Sequence, residues 1–290
     1  MAHLDIPKTY KLYIGGQFPR TESGRSFAVE NPGGAVVANL CRASRKDFRN
    51  AVAAARKVQP GWADRTAYNR SQILYRLAEM LDGRSAQFVE ELVVLGDSEP
   101  AAQDEVRTAV DRLVYYAGWC DKYAQVSGTV NPVSTSHFNF SAPEAMGVVG
   151  VVCPDEPGLL GLVSLVAPVI AGGNTCVVLA SQSRPLSAVT FAEVAATSDV
   201  PGGVLNLLTG FREELLEHFA THMDVNALVG AGMDAGAVKT LQAGSALNLK
   251  RVHAYGDDVG SPGPQFILDC QEIKTTWHPV EVVRPKSGGY

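Results

Sequence analysis

A glycine-rich loop near residue 230 has the residue types that can hold a nucleotide phosphate. In LVGAGMDAGAVKTLQ, residues 228–242, Gly230, Gly232 and Gly236 follow a short apolar run and precede a helix-like run. Glycines let a backbone approach a phosphate closely, and free N–H groups at the start of a helix attract anions. The alternative interpretation is a structural turn, which any doubly wound sheet needs between a strand and a helix.

A thiol and two carboxylates lie together in the segment CPDEPG, at Cys153, Asp155 and Glu156. In a shared cleft that shifted their pKa values, such groups could support nucleophilic or acid–base chemistry. Packing of Cys153 in the core, at the end of a strand, is the alternative. The sequence leaves a weakly supported enzyme hypothesis at this segment.

The histidines and cysteines form no recognisable metal motif. His218 and His222 have the spacing that places two ligands on one helical face, but Phe219 stands where an HExxH motif needs glutamate. The sequence therefore predicts no metal site. It also predicts reduced thiols, because the cysteines are odd in number and none forms a CxxC pair: Cys41, Cys120, Cys153, Cys176 and Cys270.

The composition excludes several classes of protein. The chain has 290 residues, 46% of them hydrophobic and 19% charged, which permits a large core and argues against disorder. The net charge is −5 and there is no long basic run, so neither nucleic acid nor an anionic membrane surface is an expected partner. The N-terminus lacks a signal-peptide pattern, and the longest apolar run is too short to span a bilayer. We expect a cytoplasmic protein.

The sequence predicts that the first third of the chain is mainly helical. Short strands are expected within residues 10–42. A capping box formed by Ser44 and Asp47 opens the first helix, and Pro60 followed by glycine is expected to end it. Hydrophobic residues at helical spacing then predict further helices up to about residue 117.

From Gly147 onward, apolar strands alternate with helical segments. The strands are GVVGVVC, NTCVVLA, GVLNLLT, VNALV and LKRVHA, and the helices are predicted at 157–171, 185–198, 211–220 and 234–244. This alternation predicts an α/β fold with a doubly wound parallel sheet of Rossmann-like type. Residues 128–146 and the run QFILDCQEIKTTWHPVEVV instead have β character, and Pro279 limits its strand to an edge.

A series of short segments in fixed order resembles the N-terminal half of aldehyde dehydrogenases, across residues 10–254. These segments are YIGGQF, ENPGGAVVANL, YYAGWCDKY, MGVVGVVCP, AGGNTCVVLASQSRPLSA, PGGVLNLLTG, HMDVNALVGAG and NLKRV. The resemblance implies a Rossmann-like domain over residues 1–127 and 147–260. It also implies an oligomerisation arm over residues 128–146 and 264–285. The family's catalytic domain, which carries the nucleophilic cysteine, has no counterpart in the sequence.

The catalytic residues that the resemblance implies are replaced in this chain. Glu156 stands where the family has the asparagine that stabilises the oxyanion, and a carboxylate would repel that charge. Tyr255 stands at the position of the general-base glutamate, and a phenol is a poor base at neutral pH. The resemblance therefore implies no catalytic residue here.

The cofactor-binding residues that the resemblance implies are only partly retained. After the second parallel strand, the family's Lys-Pro-Ser-Glu motif reads Leu-Ala-Ser-Gln, which leaves Ser181 and Gln182 as candidates. The Phe-Thr-Gly-Ser loop reads Gly-Ala-Gly-Met, which leaves Gly230 and Gly232 and replaces the serine by Met233. We therefore expect no cofactor, with degenerate NAD binding at these four positions as the alternative.

These expectations favour a non-catalytic aldehyde dehydrogenase-like subunit. Its expected partner is a full-length aldehyde dehydrogenase, a second copy of itself, or both, bound through the arm of residues 128–146 and 264–285. The alternative hypothesis is an NAD(P)-binding sensor or a residual oxidoreductase of the same family, based on the doubly wound sheet and the glycine loop.

Overall fold

The N-terminal part combines a small sheet with a layer of helices in the computed structural model, which describes residues 8–256 and 261–281. The small sheet has the strand order β1-β3-β2 and contains β1 (Thr9–Tyr10), β2 (Ser26–Glu30) and β3 (Val36–Cys41). The helices that follow are α1 (Arg45–Ala63), α2 (Ala67–Asp82), α3 (Ser85–Val94), α4 (Glu99–Trp119) and α5 (Tyr123–Ser127). The mainly helical character predicted for this part is confirmed.

Helix α1 begins as predicted and ends later than predicted. The side chain of Ser44 accepts from the backbone N–H of Asp47, and the Asp47 carboxylate accepts from the backbone N–H of Ser44, which completes the capping box. The predicted end at Pro60 is wrong, because the helix continues to Ala63. The extra turn is held by tertiary packing: Trp62 is buried and its indole N–H donates to the carbonyl of Ile170 at 3.0 Å.

The central sheet contains five parallel strands in the order β10-β9-β6-β7-β8. It follows two strands of another sheet, β4 (Thr129–Asn131) and β5 (His137–Ala145). Its own strands are β6 (Val148–Val152), β7 (Thr175–Leu179), β8 (Leu205–Leu208), β9 (Ala227–Ala231) and β10 (Arg251–Tyr255). The connecting helices are α6 (Gly158–Ala171), α7 (Leu186–Thr197), α8 (Arg212–Thr221) and α9 (Ala235–Ser245). Helices cover both faces of this sheet, so the predicted doubly wound α/β fold is confirmed.

The strand order reverses direction at β6, and this reversal positions the candidate site. From β6 the chain moves outward through β7 to β8, then returns to add β9 and β10 on the other side of β6. Helices α6 and α7 pack on one face, together with α2 and α4, whereas α1 and α8 pack on the other. In such sheets a crevice opens beyond the carboxyl ends of the strands at the reversal point.

A second antiparallel sheet unites the two segments that have β character in the sequence. After a short helix α10 (Gln265–Leu268), strand β11 (Gln271–Pro279) pairs with β5, from Gln271 opposite Ala145 to Pro279 opposite His137. The strand order is β11-β5-β4, so β11 lies at the edge that Pro279 predicts. The role of this sheet as an assembly arm stays a prediction. Residues 1–7, 257–260 and 282–285 of the predicted domain and arm lie outside the described residues.

Candidate functional site

Asp155 organises the crevice at the carboxyl ends of β6 and β7. It lies three residues after the end of β6, and its carboxylate Oδ1 accepts the backbone N–H of Gln182 at 3.0 Å. The hydroxyl of Ser181 donates to the carbonyl oxygen of Asp155 at 3.1 Å, and the backbone N–H of Arg184 donates to that hydroxyl at 2.9 Å. The structure therefore brings the predicted residues Ser181 and Gln182 together, where both contact this chain's own aspartate.

Arg212, the first residue of α8, spans the crevice from its other side. Its Nη1 atom lies 3.1 Å from Oδ2 of Asp155, and its Nη2 atom donates to the carbonyl oxygen of Cys153 at 2.6 Å. The Arg212 side chain is 20% exposed. Sequence reasoning missed this arginine, because the only available signal is a single basic residue just after a strand, far from Asp155 along the chain. The ion pair ties the ends of β6 and β8 together.

A second arginine pairs with Glu156, the residue that the family resemblance places at the position of the oxyanion asparagine. Arg184 forms ion pairs with Asp97 at 2.8 Å and with Glu156 at 3.0 Å. The negative charge of Glu156 is thus turned toward a guanidinium. Glu156 itself offers no hydrogen-bond donor to a developing oxyanion, because a carboxylate only accepts.

The glycine loop is filled by the thioether of Met233. A Cβ built on Gly230 would lie 2.8 Å from Cε of Met233 and 3.0 Å from the carbonyl oxygen of Val152, so the absence of a side chain at Gly230 accommodates methionine. Gly232 has φ +59°, a left-handed conformation that favours glycine and turns the chain into α9. At the start of that helix, the Asp234 carboxylate accepts the backbone N–H of Ala237 at 2.9 Å.

A groove of about 640 Å³ runs between α8 and α9, next to this loop. Its floor is apolar and includes Leu216 and Ala220, whereas Glu213, Glu217 and Asp234 bring carboxylates to it. Arg212 also lines the groove, but its guanidinium pairs with Asp155. The negative charge of Asp234 at the start of α9 offsets the positive end of the helix dipole, which would otherwise attract a phosphate. The groups present therefore fit the pyrophosphate of a dinucleotide poorly. Cofactor binding at Ser181, Gln182, Gly230 and Gly232 stays a prediction.

All five cysteines are buried. Burial raises the pKa of Cys153 to about 12, and it raises the pKa values of Cys120 and Cys270 to about 12 as well. Because the thiolate is the nucleophilic form of cysteine, this burial lowers the nucleophilicity of these side chains at neutral pH. Cys153 is packed in the core, as the alternative interpretation of this residue predicted.

Tyr255 lies at the end of β10, where the family resemblance places a general base. Its hydroxyl donates to Oδ2 of Asp269 at 2.7 Å, and burial followed by this hydrogen bond raises the pKa of the phenol. Nδ1 of His253 lies 3.7 Å from Oδ1 of the same aspartate. A phenol held in its protonated form by a carboxylate is a poor proton acceptor.

Neither a candidate metal centre nor a membrane-spanning helix occurs among the described residues. Within residues 8–256 and 261–281, no group of three histidine, cysteine or carboxylate side chains could hold a metal ion. In the same part of the chain, every helix is too short or too polar to cross a membrane.

Known proteins are similar to this sequence over most of its length. An aldehyde dehydrogenase of Aspergillus niger is 30% identical over 266 residues, which cover 90% of this chain and 52% of that protein. The cytosolic 10-formyltetrahydrofolate dehydrogenase of Mus musculus is 29% identical over 281 residues, which cover 92% of this chain and 30% of that protein. The chain therefore spans about half the length of the first relative, and less of the second.

Solved structures share the fold. The NAD+ complex of an aldehyde dehydrogenase from Bacillus cereus superposes with a TM-score of 0.81 at 27% identity, over 86% of this chain and 51% of that chain. Lactaldehyde dehydrogenase from Escherichia coli gives a TM-score of 0.81 at 26% identity, over 86% of this chain and 52% of that chain. The model of the aldehyde dehydrogenase family matches residues 18–274. This chain belongs to the aldehyde dehydrogenase family.

Proposed function

We propose that this chain is a non-catalytic aldehyde dehydrogenase-like subunit that associates with a full-length aldehyde dehydrogenase as a structural or regulatory partner. The observation that carries the proposal is the burial of every cysteine in the chain. Aldehyde oxidation by this family requires a thiolate that attacks the carbonyl carbon. A thiol whose pKa burial has raised to about 12, as at Cys153, supplies almost no thiolate at neutral pH.

The closed crevice supports the same proposal. Arg212 and Asp155 form an ion pair where the strand order reverses, and Met233 fills the space over Gly230. These contacts are made by the chain with itself. A dinucleotide would have to displace the methionine and would meet the carboxylate of Asp234 at the start of α9. The chain's own side chains therefore substitute for ligand contacts.

The exposed antiparallel sheet supports association with another chain. On β11, Ile273 is 56% exposed and Trp277 is 57% exposed, and on β5 the ring of Phe138 is 47% exposed. An edge strand with apolar side chains can extend a sheet of a second protein through main-chain hydrogen bonds. Since the sheet resembles the arm by which full-length family members assemble, a full-length aldehyde dehydrogenase is the proposed partner. A homodimer is the simpler assembly.

The alternative function is an NAD(P)-binding sensor, and the groove between α8 and α9 favours it. That groove, about 640 Å³, adjoins the turn at Gly232 and is large enough for part of a nucleotide. Its apolar floor could receive a flat ring. The carboxylates that line the groove would repel the phosphates of the same ligand.

Two measurements on the purified chain test the proposal. Titration calorimetry with NAD and with NADP is expected to show no saturable heat at millimolar cofactor, whereas micromolar affinity would establish the sensor instead. An aldehyde oxidation assay is expected to show no NADH formation. Steady NADH production that is abolished by Cys153→Ser, or by serine at another of the chain's cysteines, would contradict the proposal.

A further inference from the structure

A small pocket between α1 and α8 brings together four basic side chains that the crevice does not use. The pocket has a volume of about 200 Å³ and is lined by Arg45, Phe48, Arg49, His218, Thr221 and His222. None of its arginines or histidines lines the groove between α8 and α9. The volume is below the range typical of sites for drug-sized molecules, so the pocket suits a compact group.

Neither arginine of the pocket has a carboxylate partner among the described residues. Arg45 and Arg49 form no ion pair there, although the chain has a net charge of −5. Glu22 lines a neighbouring pocket together with both arginines, but it pairs with Lys46 at 2.8 Å. Asp224, two residues after His222, pairs with Arg56 at 2.7 Å. Two permanent positive charges are therefore left at the pocket.

Among the described residues, the buried aspartate of α1 forms no ion pair with these arginines either. Asp47 is 4% exposed, and its carboxylate accepts hydrogen bonds from the Thr21 hydroxyl at 2.7 Å and from the backbone N–H of Ser44 at 2.8 Å. Arg45 occupies the first turn of α1, where a positive side chain is unfavourable to the helix because the helix dipole is positive there. Local helix stability does not explain a cation at this position, whereas a bound anion would.

The two histidines add hydrogen-bond donors to this positive field. They lie four residues apart at the end of α8, so they face the same side. Nδ1 of His222 accepts the backbone N–H of Asp224 at 3.2 Å, which places the ring proton on Nε2 when the imidazole is neutral. The Phe48 ring meets the His222 ring edge-on at 5.6 Å between centroids and orients it.

We propose that this pocket binds a phosphoryl group, either as inorganic phosphate or as the phosphate of a small phosphomonoester. The guanidinium groups of Arg45 and Arg49 supply charge-assisted, bidentate donors, and the imidazoles of His218 and His222 supply further N–H donors. Paired arginines are the residues best suited to the geometry of phosphate oxygens. This site is independent of the proposed partner role and of the glycine loop.

Titration calorimetry with inorganic phosphate and with phenyl phosphate tests the site. Wild-type chain is expected to bind at least one of the two probes saturably, and the ester binding alone would assign the phosphomonoester. The double variant R45Q/R49Q is expected to weaken that binding by about tenfold or more, because two charge-assisted contacts are lost. The matched control R76Q/R107Q removes two exposed helical arginines that pair with Glu79 and Asp104, and it should leave the affinity unchanged.

Two results would overturn the site. One is the absence of saturable binding for both probes in the wild-type chain. The other is an equal loss of affinity in R45Q/R49Q and R76Q/R107Q, which would show a general effect of net charge. Folding does not confuse the comparison, since all four arginines are exposed and their substitution should leave the thermal midpoint nearly unchanged.

Discussion

The central sheet and the antiparallel sheet of β11, β5 and β4 differ in how completely this chain covers them. Every residue of β6, β7 and β9 is buried, whereas on β11 Gln271 is buried and the other eight residues are exposed. An edge strand that is exposed along nearly its whole length gains little stability by itself. The chain therefore contains one layer that is complete within the fold and one whose apolar side chains remain uncovered.

The difference separates a region that packing within the chain explains from a region that it does not explain. Packing accounts for the central sheet, because its side chains fill the space between helices on both faces. Packing within the chain does not account for Trp277 or Phe138, which stay about half exposed. The predictions below test whether stability resides in the first region and association in the second.

Truncation of Phe219 should produce the largest loss of stability. This residue is fully buried on α8, and its ring lies 4.4 Å from that of Phe48 between centroids. Phe219→Ala should lower the free energy of unfolding by about 3–5 kcal/mol, since it leaves a cavity in a close-packed core. Urea denaturation followed by circular dichroism measures this. A loss below about 1 kcal/mol would mean that the central region is loosely packed.

Glu91 should give the covered region a distinct pH dependence. This carboxyl group lies on α3, is 9% exposed, and accepts from the Thr190 hydroxyl at 2.5 Å. Burial raises its pKa from 4.5 to about 7. Between these values the folded chain holds a proton that the unfolded chain releases, so stability falls as the pH rises through about 7.

The variant Glu91→Gln isolates that effect. Between pH 4.5 and pH 7, the wild-type chain should lose on the order of 2 kcal/mol of unfolding free energy relative to Glu91→Gln. Denaturation curves of both proteins at a series of pH values provide the comparison. Parallel curves for the two proteins would show that burial does not hold this carboxyl group in its protonated form.

The ion pair across the crevice should contribute less. Asp155 is 43% exposed and Arg212 is 20% exposed, so solvent screens part of their attraction. A double-mutant cycle with Asp155→Asn and Arg212→Gln should give a coupling energy of about 0.5–1 kcal/mol. A control cycle that combines Asp155→Asn with Arg76→Gln should give none. Equal coupling in both cycles would argue against a direct pair.

Substitution of Trp277 should have the smallest effect on the isolated chain. Its side chain is 57% exposed on the edge strand, and His137 is its aromatic neighbour at 5.8 Å between centroids. Trp277→Ser should change the unfolding free energy by less than about 0.5 kcal/mol, as is typical of surface positions. A loss of unfolding free energy comparable with that of Phe219→Ala would show that the two sheets do not differ in their contribution to stability.

The sequence predicts those features that depend on local patterns. Continuous apolar runs such as GVVGVVC specify buried parallel strands, and the capping box at Ser44 specifies where α1 begins. The end of α1 was mispredicted at Pro60, because the local signal of proline is outweighed by the distant contact between Trp62 and Ile170.

The candidate site is harder to predict from the sequence, because its contacts join segments that are far apart along the chain. Arg212 meets Asp155 across two strands and two helices of the chain, and Arg45 lines the same pocket as His218 only when α1 packs against α8. Resemblance to the family identifies which catalytic positions are replaced, but it does not reveal what fills the crevice. The position of Met233 over Gly230 becomes evident only from the packed loop.

Native mass spectrometry of the tagged chain, purified from its native host, tests whether it associates with a full-length aldehyde dehydrogenase. We expect a hetero-oligomer that contains this chain and a full-length aldehyde dehydrogenase, identified by intact mass and peptide sequencing. We also expect Trp277→Ser to abolish this complex while the chain stays folded. Recovery of this chain without any aldehyde dehydrogenase, from cells that contain one, would overturn the proposed association.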